Sequence, residues 1–197
     1  MSAPRRSVLA LAVLSMLLEE PMHAYRMQQL IKERRKDDVV NVTQRNSVYQ
    51  TIQRLVRDGL AEVVSTERAA NRPERTTFRI TELGQATLHD WLVSMLSSPV
   101  PEYAEFPAAL SFLPNLAPAD ALAALSTRIV HLEGQLVDLD AEVAEVEAFL
   151  PALFAVESVY RRKVVDAELG YVRGLVAELR TGQLSWPFVD GRPVWPG

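Results

Sequence analysis

Two short stretches concentrate side chains suited to gripping and reading a polyanion. The first holds Gln44, Arg45, Asn46, Ser47, Tyr49, Gln50 and Arg54. Gln and Asn match the hydrogen-bonding edge of adenine, Arg matches guanine, and Ser and Tyr hydroxyls commonly donate to phosphate. The second holds Arg68, Asn71, Arg72 and Arg75 around Pro73. Guanidinium groups in such a loop can lie along phosphates or enter a narrow minor groove. His23 and Tyr25 follow Pro21 at the start of a predicted helix, whose backbone N–H groups can face a phosphate. Catalysis finds no comparable set. The 197 residues include no cysteine, which excludes thiolate nucleophiles and sulfur-based zinc sites. His23, His89 and His131 are scattered, so no metal or other cofactor is expected, and no phosphate loop or nucleophile elbow occurs. The carboxylates Asp138, Asp140, Glu142, Glu145 and Glu147 read as a solvated helix face rather than as acid–base machinery.

The elements that must position these residues are legible in the apolar spacing. Val8, Leu11, Leu14, Met16, Leu17 and Leu18 predict a first helix, ended by Glu19-Glu20-Pro21 because proline cannot continue it. Tyr25, Met27, Leu30 and Ile31 predict a second over about 23–36. A third starts from Thr43 as N-cap, carries Val48, Ile52, Leu55 and Val56 on one face, and stops at Asp58-Gly59. The stretches 60–65 and 76–80 suit two strands, and Thr81-Glu82-Leu83-Gly84 opens a fourth helix ending near Met95-Leu96. Three helices followed by a basic two-stranded hairpin predict a winged helix-turn-helix. Seen in that frame, the polar face of the third helix is a DNA-recognition surface.

The net charge of −4 conceals a division. Residues 1–98 carry 14 Lys+Arg against 11 Asp+Glu, whereas 99–197 carry 7 against 14. A reader of +3 is thus joined to an acidic half of −7. Ser97-Ser98-Pro99-Val100-Pro101 marks the boundary, giving domains 1–98 and 99–197. The apolar run 8–18 is too short for a membrane span of roughly 20 residues and lacks a signal-peptide cleavage pattern. A cytoplasmic protein without a membrane partner is expected.

In the second half, Leu122, Leu125, Ile129, Leu132, Leu136, Leu139, Val143, Val146 and Leu150 alternate at spacings of three and four. Pro118 opens this helix and Pro151 ends it. Another helix over about 153–181 repeats the pattern with Val165, Leu169, Val172, Val176 and Leu179. So long a seam predicts a mainly α dimerisation domain in which long antiparallel helices meet a second chain. Trp91, Phe106, Phe112, Phe154 and Tyr160 are candidates for an effector pocket, although aromatics at such spacing more often build core. Two of the three tryptophans lie in the last twelve residues, which suits a tail docked on the body of the protein.

The segments Pro21-Met22-His23-Ala24-Tyr25, Asn46 to Leu55 with Asp58-Gly59-Leu60, and Arg72 to Gly84 resemble the PadR family of winged-helix transcriptional regulators. Ala24 and Asn46 replace the family's usual glycines, Phe78 stands where tyrosine is common, and Ala69-Ala70-Asn71 occupy a wing that usually holds glycine. Residues 169–175, Leu-Gly-Tyr-Val-Arg-Gly-Leu, resemble the last helix of the larger PadR proteins. The resemblance implies helices intertwined across a homodimer and repression at operator DNA, relieved in some members by a small molecule. The expected function is therefore a homodimeric repressor reading a pseudo-palindrome. The alternative is a winged helix that binds another protein instead of DNA.

Overall fold

The computed structural model describes residues 6–36, 47–67 and 75–194, which fall into two compact units, Met1–Pro101 and Glu102–Gly197. The expected helix start at Thr43 lies outside the described residues.

The first unit is built around α1 (Val8–Glu19), apolar on nearly every side, with Ala10, Val13, Leu14, Met16 and Leu17 buried. Ser7 caps it, its Oγ accepting from the Ala10 N–H at 3.1 Å. Against α1 pack α3 (Ser47–Arg57), α4 (Glu82–Ser97) and the strand β3 (Arg75–Ile80), while α2 (Ala24–Glu33) packs on α3. The strongly amphipathic α3 buries Val48, Thr51, Ile52 and Leu55 and leaves Tyr49, Gln50 and Gln53 outside.

The sheet holds one strand more than the two read from sequence. β1 (Met22–His23) pairs antiparallel with β3, and β3 pairs antiparallel with β2 (Ala61–Glu67). Proline 21 stops α1 and leaves the next two residues extended, so their backbone groups find partners on β3. The side chain of Met22 is then buried beside its register partner Phe78.

One junction ties α3, the sheet and α4 together. Gly59 (φ +74°) turns the chain out of α3, and Leu60 N–H donates back to the Leu55 carbonyl at 2.8 Å. The Leu60 carbonyl accepts from Thr81 N–H at 3.1 Å. The Thr81 hydroxyl donates to the Gly59 carbonyl at 2.7 Å and accepts the Gly84 N–H at 3.0 Å, capping α4. Gly84 is required here by contact, since a Cβ would stand 2.0 Å from the Leu60 oxygen.

In the second unit, α5 (Glu105–Ser111) and a short 3₁₀ turn (Leu113–Asn115) precede α6 (Pro118–Phe149). The sequence signalled neither α5 nor the turn, because seven residues carry too little periodicity. Pro151 ends α6 as expected, and after a second 3₁₀ turn α7 (Val156–Thr181) returns antiparallel along it. Leu125 and Leu132 of α6 meet Leu169, Val172, Leu175 and Val176 of α7 in a second core, flanked by Leu122, Ile129, Leu136, Val165 and Leu179. Arg173–Glu133 at 2.6 Å, Arg162–Asp140, and Ser158 Oγ–Glu142 at 2.6 Å bridge the two helices outside that core. Beyond Gly182 the tail forms a hairpin, β4 (Phe188–Val189) with β5 (Arg192–Pro193). Asp190 and Gly191, at φ +50° and +74°, supply its tight turn. Trp186 Nε1 donates to the Leu116 carbonyl at 2.9 Å, so one tail tryptophan does dock on its own unit. No helix among the described residues is long and apolar enough to cross a membrane.

Two stability measurements check this description. Gly84→Ala is expected to fall at the upper end of the about 1–3 kcal/mol that overpacking costs, read by urea unfolding. A loss below about 0.5 kcal/mol would show that the Leu60 carbonyl yields easily. The second concerns Glu19, which accepts from Arg34 Nη2 at 2.7 Å. This hydrogen bond lowers the Glu19 carboxyl below its ordinary 4.5, helped by the Arg34 charge and opposed by burial. The pair therefore adds stability above that pH and loses it as pH falls through the depressed value. Both side chains are nearly half exposed, so solvent screens the gain. Glu19→Gln should be slightly less stable than the parent at pH 7, with the difference vanishing in acid. A difference that persists at pH 2 would contradict the assignment.

Candidate nucleic-acid interface

One cleft of the first unit is lined by side chains whose chemistry suits a phosphate backbone. His23 caps α2, its Nδ1 accepting from the Arg26 N–H at 3.0 Å. A nitrogen that accepts carries no proton, so the neutral ring holds its proton on Nε2. The ring stacks on Tyr25, centroids 6.2 Å apart and planes at 28°. The same imidazole therefore closes the helix end and orients a phenol.

His23, Tyr25, Tyr49, Gln53, Arg75 and Thr76 line a cleft of about 180 Å³ floored by Ala24, Ile52 and Phe78. Three separate elements meet there: the α2 start, the exposed flank of α3 and the root of the wing on β3. Pairing of His23 with Thr77 across β1 and β3 brings the first and third together. Imidazole, phenol, amide, guanidinium and hydroxyl groups then converge on one opening, a donor-rich set matched to phosphate oxygens. Gln53 and Thr76 were not singled out from sequence. Gln53 stands one helical turn beyond Tyr49 on the same flank, and that i, i+4 relation was the signal available.

The other residues of α3 divide. Gln50 is exposed and free of the packed face. Ser47 is half-buried, and its hydroxyl has no hydrogen-bond partner among the described residues. Arg54 is half-buried and turns inward, Nη2 donating to Ser7 Oγ at 3.3 Å. It thus braces α3 against the cap of α1, a placement its charge alone did not reveal. Gln44, Arg45, Asn46, Arg68, Asn71 and Arg72 lie outside the described residues.

The aromatic residues considered for an effector pocket fall in both units. Trp91 packs half-buried on the core of the first unit. In the second unit Phe106 is half-buried with the Arg128 guanidinium 3.7 Å above its ring. Phe112 is 68% exposed, and Phe154 and Tyr160 are also open to solvent. The heptad positions Leu125, Leu132 and Leu139 are buried, and α7 of the same chain covers much of the α6 seam. Val143 and Val146 are half-buried and Leu150 is exposed near the α6–α7 turn. Within one chain α6 and α7 thus pair antiparallel, and the seam beyond Leu139 is only partly covered.

Comparison with known proteins bears on this face. Residues 13–90 match the transcriptional regulator PadR-like family. No curated protein matches the chain. Bacillus subtilis PadR in complex with operator DNA is 20% identical, with a TM-score of 0.67 over 88% of this chain and 99% of that one. The same protein in complex with p-coumaric acid gives 18% and 0.68 over equal shares. The Vibrio cholerae virulence activator AphA gives 16% and 0.65, covering 88% of this chain and 99% of its own. At these identities the structures establish the fold, a winged helix followed by long C-terminal helices, and the family match runs from the middle of α1 to the middle of α4. Residues 13–90 thus match the PadR-like transcriptional regulators, and the solved structures show the same fold around that segment.

Proposed function

We propose that the protein is a homodimeric transcriptional repressor in the cytoplasm. In this reading it binds a pseudo-palindromic operator and is relieved by a small molecule. The observation that carries the DNA reading is the convergence of His23, Tyr25, Tyr49, Gln53 and Arg75 on one cleft beside an exposed Gln50. The cleft grips one phosphate strand while Gln50 of α3, with Arg45 ahead of it in the sequence, reads base edges. Arg68, Asn71 and Arg72 extend the grip along the backbone from the wing, and Gln44, Asn46 and Ser47 complete the recognition face. Arg54 serves from behind by holding α3 to Ser7. The B. subtilis PadR structures with operator DNA and with p-coumaric acid lend support to both partners.

Dimerisation is favoured by apolar surface that α7 leaves uncovered. Phe149 is 86% and Leu153 73% exposed at the α6–α7 turn, with Leu150 and Phe154 in the same turn. Apolar surface gathered at one place marks an interaction site. A second chain covering it would place two recognition helices about a twofold axis.

Footprinting on DNA upstream of the protein's own gene, with and without candidate effectors, tests the whole reading. A protected palindrome coupled to a fall in reporter expression is expected; a rise in expression would indicate activation instead. No specific footprint there or in a genomic selection would favour a protein-binding winged helix. Arg75→Ala should weaken binding to all sequences and reduce the salt slope by about one. Gln50→Ala should relax preference at one base position by about 1–3 kcal/mol with the slope kept. Parental behaviour of both variants would overturn the docking. Replacing Phe149 and Leu153 by Ser should shift sedimentation from dimer to monomer; an unchanged dimer would place the interface elsewhere.

A further inference from the structure

A second cleft, of about 630 Å³, lies wholly within the C-terminal unit, between α5 and the α6–α7 hairpin. Its walls are mainly apolar, with Phe106, Pro107, Leu110 and Tyr171, and its ionic groups are Glu105, Glu168 and Arg128. Arg128 is already committed. It sits 3.7 Å over the Phe106 ring and bonds Glu168 Oε1 at 2.6 Å. Two carboxylates against one neutralised guanidinium leave the cleft with a net charge of −1. An anionic ligand would meet Glu105 and would have to break the Arg128–Glu168 pair to find a cation. A cation meets Glu105 directly, and the exposed Tyr171 ring offers it a negative face. The seat taken by Arg128 over Phe106 shows the same preference satisfied from within.

We infer that this cleft binds a small apolar or aromatic cation, such as a lipophilic ammonium or phosphonium. That gives a chemical class to the effector proposed above and rests on that reading only for its consequence at DNA. Helix α5 has no fully buried residue and is held through half-buried Phe106 and Leu110, so a ligand beneath it would add to its anchorage.

Tetraphenylphosphonium and tetraphenylborate, nearly equal in shape and opposite in charge, separate charge from greasiness. Calorimetric titration of the full chain without DNA should show one saturable phosphonium site and weaker borate binding. Glu105→Gln should weaken phosphonium binding about threefold through loss of an exposed charge pair. Tyr171→Leu should weaken it about threefold through loss of the ring, and the two together about tenfold. Both side chains are exposed, so neither substitution disturbs the core. The assignment is overturned by borate binding as tightly as phosphonium, by no saturable phosphonium site, or by parental affinity in the double variant. With no DNA present, failure of the DNA reading cannot produce any of these results.

Discussion

The Leu60 carbonyl is the point from which the winged helix takes its geometry. Three requirements meet there: the recognition helix must end, the wing must begin, and α4 must start. Leu60 N–H is spent on the α3 exit, its carbonyl accepts from Thr81, and Gly84 lets α4 come close enough for Thr81 to serve as cap. A larger residue at 84 would collide with the Leu60 carbonyl and the Ile80 side chain. The junction stands at the Ile80 end of β3, while Arg75 and the cleft lie at the other end of that strand.

Placement of charge follows a similar economy. Arg54 and His23 each do a structural task with a group that could face solvent. Arg54 bonds the cap of α1, and His23 closes α2 through one nitrogen while presenting the other. In the C-terminal unit, arginines and acids bridge α6 and α7 and set the register of two helices whose apolar seams alone would tolerate slippage by a heptad. The surplus acid of that half is left at exposed faces and in the Phe106 cleft.

Much of this was visible in the chain as written. The period of Val48, Ile52 and Leu55 marked α3 and its outer face, Gly59 its end, and Pro118 and Pro151 the limits of the long helix. Local chemistry decides such features, and local chemistry is what a sequence displays. The extra strand at Met22–His23 was not visible, because two residues have no period. Helix α5 and the tail hairpin were hidden for the same reason. The α6 seam was legible as a seam but not by its partner. An apolar stripe states that it must be covered, and α7 of the same chain and a second chain satisfy it equally well.

The sequence by itself determined a mildly basic winged helix joined to acidic long helices, since apolar spacing, helix-breaking residues and local charge are properties of neighbours along the chain. Only the tertiary structure decided which polar residues act together. His23, Tyr49 and Arg75 are more than 20 residues apart in pairs, and pairing of β1 with β3 together with packing of α2 on α3 brings them to one opening. It also turned Arg54 inward, filled one face of Phe106 with Arg128, and seated Trp186 on Leu116. The physical reason is common to all four: a side chain's partner is set by backbone hydrogen bonds and packing between distant elements, and no local pattern encodes who that partner is.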